Sequence, residues 1–188
     1  MQKRQPLTKL LPAALICAAV LSPAGAAETK NEITVAVAST FTTMDPWNAT
    51  DTLSQAVAKS FYEGLFKFDR AMNVVPSLAE SAESSPDGMQ HVVHLRRGVK
   101  FHDGTTFTAE AVKANFDRIT TPGSTLKRFF LFENVASLKV LDPYTVRFTL
   151  KRPNSAFINR LAHPSAVMIC PKSLSEKEVS IAFHPCGT

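Results

Sequence analysis

The chain has 188 residues, 45% of them hydrophobic and 20% charged, with 21 Lys and Arg against 16 Asp and Glu. That balance excludes a disordered or low-complexity polymer, and the length supplies enough apolar side chains for a core of its own. The formal charge of +5 is carried largely by the first residues. Elsewhere basic and acidic side chains are interspersed, a pattern that argues against a nucleic-acid partner.

In chain order, Lys3, Arg4 and Lys9 precede an apolar run from Leu10 to Leu21, and Ala24-Gly25-Ala26 offers the small-residue cleavage site of a secretory signal peptide. The run is shorter than the ~20 residues a helix needs to cross a bilayer. Residues 1–26 are therefore expected to be an export leader, removed to leave a mature periplasmic chain with no transmembrane segment. The leader holds no acid, so its removal lowers the net charge from +5 to +2. Cys17 could instead carry a lipid anchor, but the bulky Ile16 before it disfavours that cleavage.

Ile33 to Ala38 is a short β-branched apolar run of the kind that forms a buried strand. Pro46 bars a helix in the polar loop that follows. Asp51 is placed to cap the next helix, whose apolar positions are Leu53, Ala56 and Val57. Phe61 to Phe68 then turns to aromatic strand composition around Gly64, giving a βαβ-like opening. From Ser84 to Gly88, Pro86 presets φ and Gly88 tolerates positive φ, so a hairpin turn is expected. In the strand after it, His91, Val93 and Leu95 face away from Val92 and His94. A second turn at His102 to Thr105 leads into a helix capped by Thr108, with Val112, Asn115, Phe116 and Ile119 on one face. Asp142-Pro143 separates two alternating runs, Ala136 to Leu141 and Thr145 to Leu150, as a second hairpin. Ser155 to Leu161 reads as a short helix and Ala166 to Ile169 as a strand. Cys170 and Cys186 could pair in an oxidising compartment or remain free thiols, and spacing does not decide between them.

Nucleophile elbows, glycine-rich phosphate loops and metalloprotease motifs are all absent from the sequence. The odd spacing of His91 and His94 puts them on opposite faces of a strand, which excludes joint metal ligation. His102-Asp103 could be imagined as an oriented base, but Asp103-Gly104 is turn chemistry and His102 is expected to pack beside Phe101. No cofactor, metal or catalytic residue is assigned.

The stretch Pro76-Ser77-Leu78-Ala79-Glu80-Ser81, the turn Asp87-Gly88, His94-Leu95-Arg96-Arg97-Gly98-Val99-Lys100-Phe101-His102-Asp103-Gly104 and Phe107-Thr108-Ala109-Glu110-Ala111-Val112-Lys113 resembles, in fixed order, the signature of the family 5 extracellular solute-binding proteins of peptide ABC importers. Further likeness, in Phe41 to Pro46, Asp51 to Phe66, Leu126 to Phe129 and Ser155 to Pro164, is to the glutathione-binding subgroup. The resemblance implies an α/β, class II periplasmic-binding-protein-like fold: an N-terminal lobe with an inserted hairpin-and-helix subdomain over about residues 70–150, within a solute-binding portion spanning 27–188. Pro185-Cys186-Gly187-Thr188 resembles an element that in the family leads into much more chain. The sequence is thus expected to stop before a second lobe.

The same resemblance implies a peptide or glutathione ligand in an interlobe cleft, delivered to an ABC permease of the inner membrane. Carried onto this chain, the walls of the cleft would be Phe41, Thr42, Thr43, Asn48, Ser54, Arg128, Phe129 and Ser165. Arg128 is the foremost of these, because a planar guanidinium takes a carboxylate through two hydrogen bonds. Capping and loop bonds are the plainer role for Thr42, Thr43, Asn48 and Ser54, and core packing for Phe41 and Phe129. Two rival readings are a fragment lacking its opposing wall and therefore not binding, and a secreted enzyme or chaperone on the same fold.

Overall fold

The computed structural model describes residues 34–175 and 178–188. The leader expected over residues 1–26 lies outside them, as does Ile33. Among the described residues no helix is long and apolar enough to cross a membrane. The chain divides into two units, Met1–Ala36 and Val37–Thr188; only residues 34–36 of the first are described, and they form no helix or strand.

The strand expected over Ile33 to Ala38 is not formed across 34–38, and Val35 and Val37 are exposed. A β-branched run becomes a strand only where a sheet edge takes up its N–H and C=O groups, and none of the described strands pairs with it. The first helix, α1 (Thr52–Ala58), is capped as expected by Asp51, whose carboxylate accepts from the Ser54 N–H. Its buried face is Ser54 and Ala58, not Leu53, Ala56 and Val57. Ser54 is drawn inward because its hydroxyl accepts the Thr42 N–H at 2.8 Å.

Strands β1 (Phe66–Phe68) and β2 (Val74–Pro76) form a small antiparallel hairpin. Its turn is held by Asp69, which accepts the Ala71 and Asn73 N–H groups. The longer strand expected over Phe61 to Phe68 is thus confined to its second half. Gly64 makes a single antiparallel bridge to Val167, and a Cβ there would stand 2.8 Å from the Phe66 carbonyl oxygen. That close approach requires glycine.

A four-stranded sheet follows, made of β3 (Ala79–Ser84), β4 (Gln90–Leu95), β5 (Val135–Asp142) and β6 (Thr145–Leu150) in the order β3-β4-β6-β5. Both expected hairpins are present, with Gly88 at φ 65 in the first. His91, Val93 and Leu95 point into the core while Val92 and His94 are half-buried on the other face, as the alternation requires. Every described strand pairing is antiparallel, so the βαβ-like opening does not form a parallel pair.

Helix α2 (Ala109–Thr120) packs on this sheet with Val112, Phe116 and Ile119 buried, while buried Asn115 bonds to Ile169. Thr108 sits at its N-cap but makes no side-chain cap bond; the Pro143 carbonyl accepts the Ala109 N–H instead. Edge-to-face rings tie the layers together. Phe116 lies 5.8 Å from Trp47, 5.1 Å from Phe132 and 4.8 Å from Phe148, and all four are buried. Each such side chain contributes on the order of 1.5–3 kcal/mol by burial, so Trp47 anchors the 45–49 loop against Phe116 of α2 and Phe132.

Helices α3 (Phe157–Leu161), α4 (Pro171–Ser175) and α5 (Glu178–Phe183) complete the order. Between α3 and α4 the expected strand over Ala166 to Ile169 is replaced by buried extended chain with one bridge. Its polar groups are taken one at a time: Met168 N–H by the Glu63 carbonyl, Ile169 N–H by the Asn115 amide oxygen, and Cys170 N–H by the Cys186 carbonyl. Cys170 and Cys186 form a disulfide with Cα atoms 5.4 Å apart. His102 does not pack beside Phe101 as expected; it is exposed, its N–H donating to the Gly187 carbonyl at 2.8 Å and its Nδ1 accepting the Gly187 N–H at 3.3 Å. Asp103 does serve the turn, accepting from the Thr105 N–H and hydroxyl.

Candidate ligand-binding site

The loop between residues 41 and 51 is a chain of side-chain caps. The Thr42 hydroxyl donates to Asp51 at 2.7 Å, and the Thr43 hydroxyl accepts the Asp45 N–H at 3.0 Å. The Ser54 N–H, and after it the Thr42 hydroxyl, stabilise the Asp51 carboxylate and hold its pKa down to about 2. Thr42, Thr43 and Ser54 are therefore brought together, and their polar groups fix the loop. Phe41, beside them, is exposed.

A second group is built on buried Asp45. Its carboxylate accepts the Trp47 N–H and the Asn48 amide, and Arg118 of α2 clasps it with Nη1 at 3.2 Å and Nη2 at 2.6 Å. The pair is almost wholly shielded, and such a bridge is sound only because the remaining lone pairs are also used. Asn48, held this way, accepts the Lys127 N–H through Oδ1. Arg128 then donates its own N–H to the Trp47 carbonyl at 3.1 Å and its Nε–H to the Ala49 carbonyl at 2.8 Å.

Those two bonds lock the base of the half-buried Arg128 and leave Nη1 and Nη2 without a hydrogen bond or ion pair among the described residues. A fork fixed at one edge and free at the other is pre-organised for an anion. Phe129 opens the 3-10 turn Phe129–Leu131 and packs on the core, while Phe130 is exposed.

The 163–166 loop comes to the same place. Burial lowers the His163 pKa, and the charge of Arg128 lowers it further, so the imidazole stays neutral and accepts the Ser165 N–H at Nδ1, 3.0 Å away. Ser165 is fully buried, and its hydroxyl has no hydrogen-bond partner among the described residues. Of the eight residues named from the sequence, the structure links Thr42, Thr43 and Ser54 in one network and Asn48 and Arg128 in another, while Ser165 is bonded to His163, whose ring feels the charge of Arg128. Phe41 and Phe129 enter neither network.

Sequence reasoning missed a cavity of about 310 Å³ on the other side of His163, lined by Tyr62, Phe66 and Phe68 and rimmed by Lys59, Glu63 and Lys67. Lys67, alternating with Phe66 and Phe68 in β1, was the available signal: it marks a charged side chain on the exposed face of an aromatic strand.

Residues 73–188 match the model of the bacterial extracellular solute-binding proteins, family 5 Middle. The chain belongs to this family. Among curated family members it is 55% identical over 157 residues to the glutathione-binding protein GsiB of Escherichia coli O1:K1, an alignment that takes in 84% of this chain and 31% of that one. The chain thus spans about a third of the length of the curated relatives it matches. Among solved structures, the oligopeptide-binding protein AppA of Bacillus subtilis, in complex with a nonapeptide, superposes with a TM-score of 0.71 at 27% identity, over 78% of this chain and 30% of that one. DppA of Helicobacter pylori, an ABC transporter-associated periplasmic binding protein in complex with peptide STSA, gives 0.67 at 28% identity, over 79% and 33%. The fold is that of these periplasmic binding proteins.

Proposed function

We propose that the chain is the first wall of a periplasmic substrate-binding component of an ABC importer, taking glutathione or a similar short peptide and presenting it to an inner-membrane permease. Its relative named for glutathione binding and the two peptide complexes among its structural neighbours support that ligand class. The observation that carries the reading is Arg128: two of its donors are spent on Trp47 and Ala49, and Nη1 and Nη2 have no hydrogen bond or ion pair among the described residues, near neutral His163. A tripeptide with two carboxylates suits that edge. Residues 41–54, 127–129 and 163–166 form the wall, with the cavity lined by His163 next to it. The β3–β4 and β5–β6 hairpins act as an accessory subdomain within about residues 70–150, a range that also carries the 127–129 part of the wall. No catalytic role is proposed.

Titration calorimetry of the purified chain against glutathione and its dimethyl ester tests the reading. A hydrogen-bonded charge contributes about 1.5–3 kcal/mol, so esterification, or Arg128→Ala, is expected to weaken binding by roughly tenfold or more. Equal affinity for acid and ester would contradict it.

A further inference from the structure

The Cys170–Cys186 disulfide is unsymmetrical in its exposure and its charge. Cys170 is fully buried, whereas Cys186 is half-buried. One Asp103 carboxylate oxygen and the two sulfurs lie within 4.8 Å of one another. Residues 186–188, which the bond ties down, are seated by four more contacts: Cys170 N–H to the Cys186 carbonyl, His102 N–H to the Gly187 carbonyl, Gly187 N–H to His102 Nδ1, and the Thr188 hydroxyl to Glu63. At Gly187 an added Cβ would stand 2.1 Å from the Phe61 carbonyl oxygen, so the segment fills a slot with no spare room.

We propose that this disulfide is a charge-guarded latch that small thiols open at Cys186, with Asp103 slowing anionic thiols. In the opening step an incoming thiolate attacks Cys186 Sγ; the new S–S bond forms there, the Cys170–Cys186 bond breaks, and its electron pair leaves on Cys170 as a thiolate that takes a proton from water. The thiol is the reductant, and a second equivalent attacking the mixed disulfide completes the reduction. Burial closes the route to Cys170. The carboxylate repels an anionic thiolate and also disfavours the thiolate left on Cys170. Lys172 works against this guard, since its charge reaches the Asp103 carboxylate. The other titratable groups facing the latch are His102, whose Nδ1 accepts from Gly187, Tyr62, whose ring packs against Gly187 beside Cys186, and Glu63 at the far end of the segment. The inference stands apart from the glutathione reading, because it concerns any thiol small enough to approach.

The test uses the purified oxidised chain and three thiols differing in charge: 2-mercaptoethanesulfonate, 2-mercaptoethanol and cysteamine. Rates of latch opening are corrected for the thiolate fraction of each. A charge about 5 Å away in watery surroundings changes a rate by roughly threefold to fivefold per unit of charge, so the expected order is cysteamine fastest and the sulfonate slowest, converging at high salt. Asp103→Asn, which keeps the oxygen that accepts from Thr105, should bring the three rates together, whereas Lys172→Gln should spread them further. Mere loosening of the segment would speed all thiols alike in both variants. Trapping the intermediate with one equivalent of thiol should place the adduct on Cys186. Charge-independent rates in the wild-type chain, same-direction effects in the two variants, or an adduct on Cys170 would each overturn the proposal.

Discussion

Asn115 is the residue on which the 163–170 loop depends. It is fully buried on α2, and its amide exchanges two hydrogen bonds with Ile169: Nδ2 donates to the Ile169 carbonyl at 2.8 Å, and Oδ1 accepts the Ile169 N–H at 2.9 Å. A third bond, to the Ala111 carbonyl at 3.0 Å, counts for little, because that carbonyl already serves the helix. Asn115→Ala leaves the Ile169 N–H and C=O buried and unpaired, at about 1–3 kcal/mol each. The expected loss is roughly 3–5 kcal/mol, a large share of the 5–15 kcal/mol that holds a typical domain. Urea unfolding followed by tryptophan fluorescence reads this through Trp47, which sits against Phe116 one position along the helix. With a slope of about 2 kcal/mol/M the midpoint should fall by about 1.5–2.5 M at unchanged slope. A loss below 1 kcal/mol would refute the claim that Asn115 substitutes for the missing strand ladder.

Three further outcomes follow from the same contacts. Arg118→Ala strands the buried Asp45 carboxylate and should cost about 3–5 kcal/mol; adding Asp45→Asn in the same chain should recover part of it in a double-mutant cycle, and strict additivity would contradict the pairing. Burial lowers the pKa of His91, whose ring stacks on Phe157 at 4.9 Å, so the unfolded chain binds the proton more readily. Stability should be full above about pH 6.5 and fall as pH drops below it; His163, also depressed, adds in the same direction. Melting curves of His91→Gln between pH 5 and 7 should show a shallower dependence than wild type, and an identical slope would count against the buried-neutral assignment. Gly187→Ala forces a Cβ against the Phe61 carbonyl and should cost about 1–3 kcal/mol, seen as a melting point lowered by roughly 3–10 °C. An unchanged melting point would mean the slot is looser than described.

The hairpins were legible in the sequence because their causes are local. Pro86 with Gly88, and Asp142 with Pro143, set the turns, and strand alternation sets which side of β4 is buried. The Asp51 cap was legible for the same reason. What the sequence withheld was the source of long-range hydrogen bonds. Ile33 to Ala38 and Ala166 to Ile169 have equal claims to be strands by composition, yet residues 34–38 meet no described sheet edge, and the second run is served by Glu63 and Asn115 from two distant places. Thr108 stands at the cap position, but its side chain makes no cap bond, and Pro143, far along the chain, supplies the acceptor. At the candidate site, the pattern located Arg128 and the 41–54 loop through family resemblance. It did not show that Thr42, Thr43 and Ser54 spend their polar groups on one another, which leaves the guanidinium edge as the group free to meet a ligand.

The central claim is that the wall formed by residues 41–54, 127–129 and 163–166 receives a carboxylate-bearing peptide at Arg128. The most direct measurement is an amide chemical-shift map of the purified chain during titration with glutathione. Shifts concentrated at Ala49, Arg128, His163 and Ser165, and abolished in Arg128→Ala, are the expected result. Saturable shifts clustered elsewhere, on the outer face of the four-stranded sheet for instance, or a map unaffected by Arg128→Ala, would contradict it.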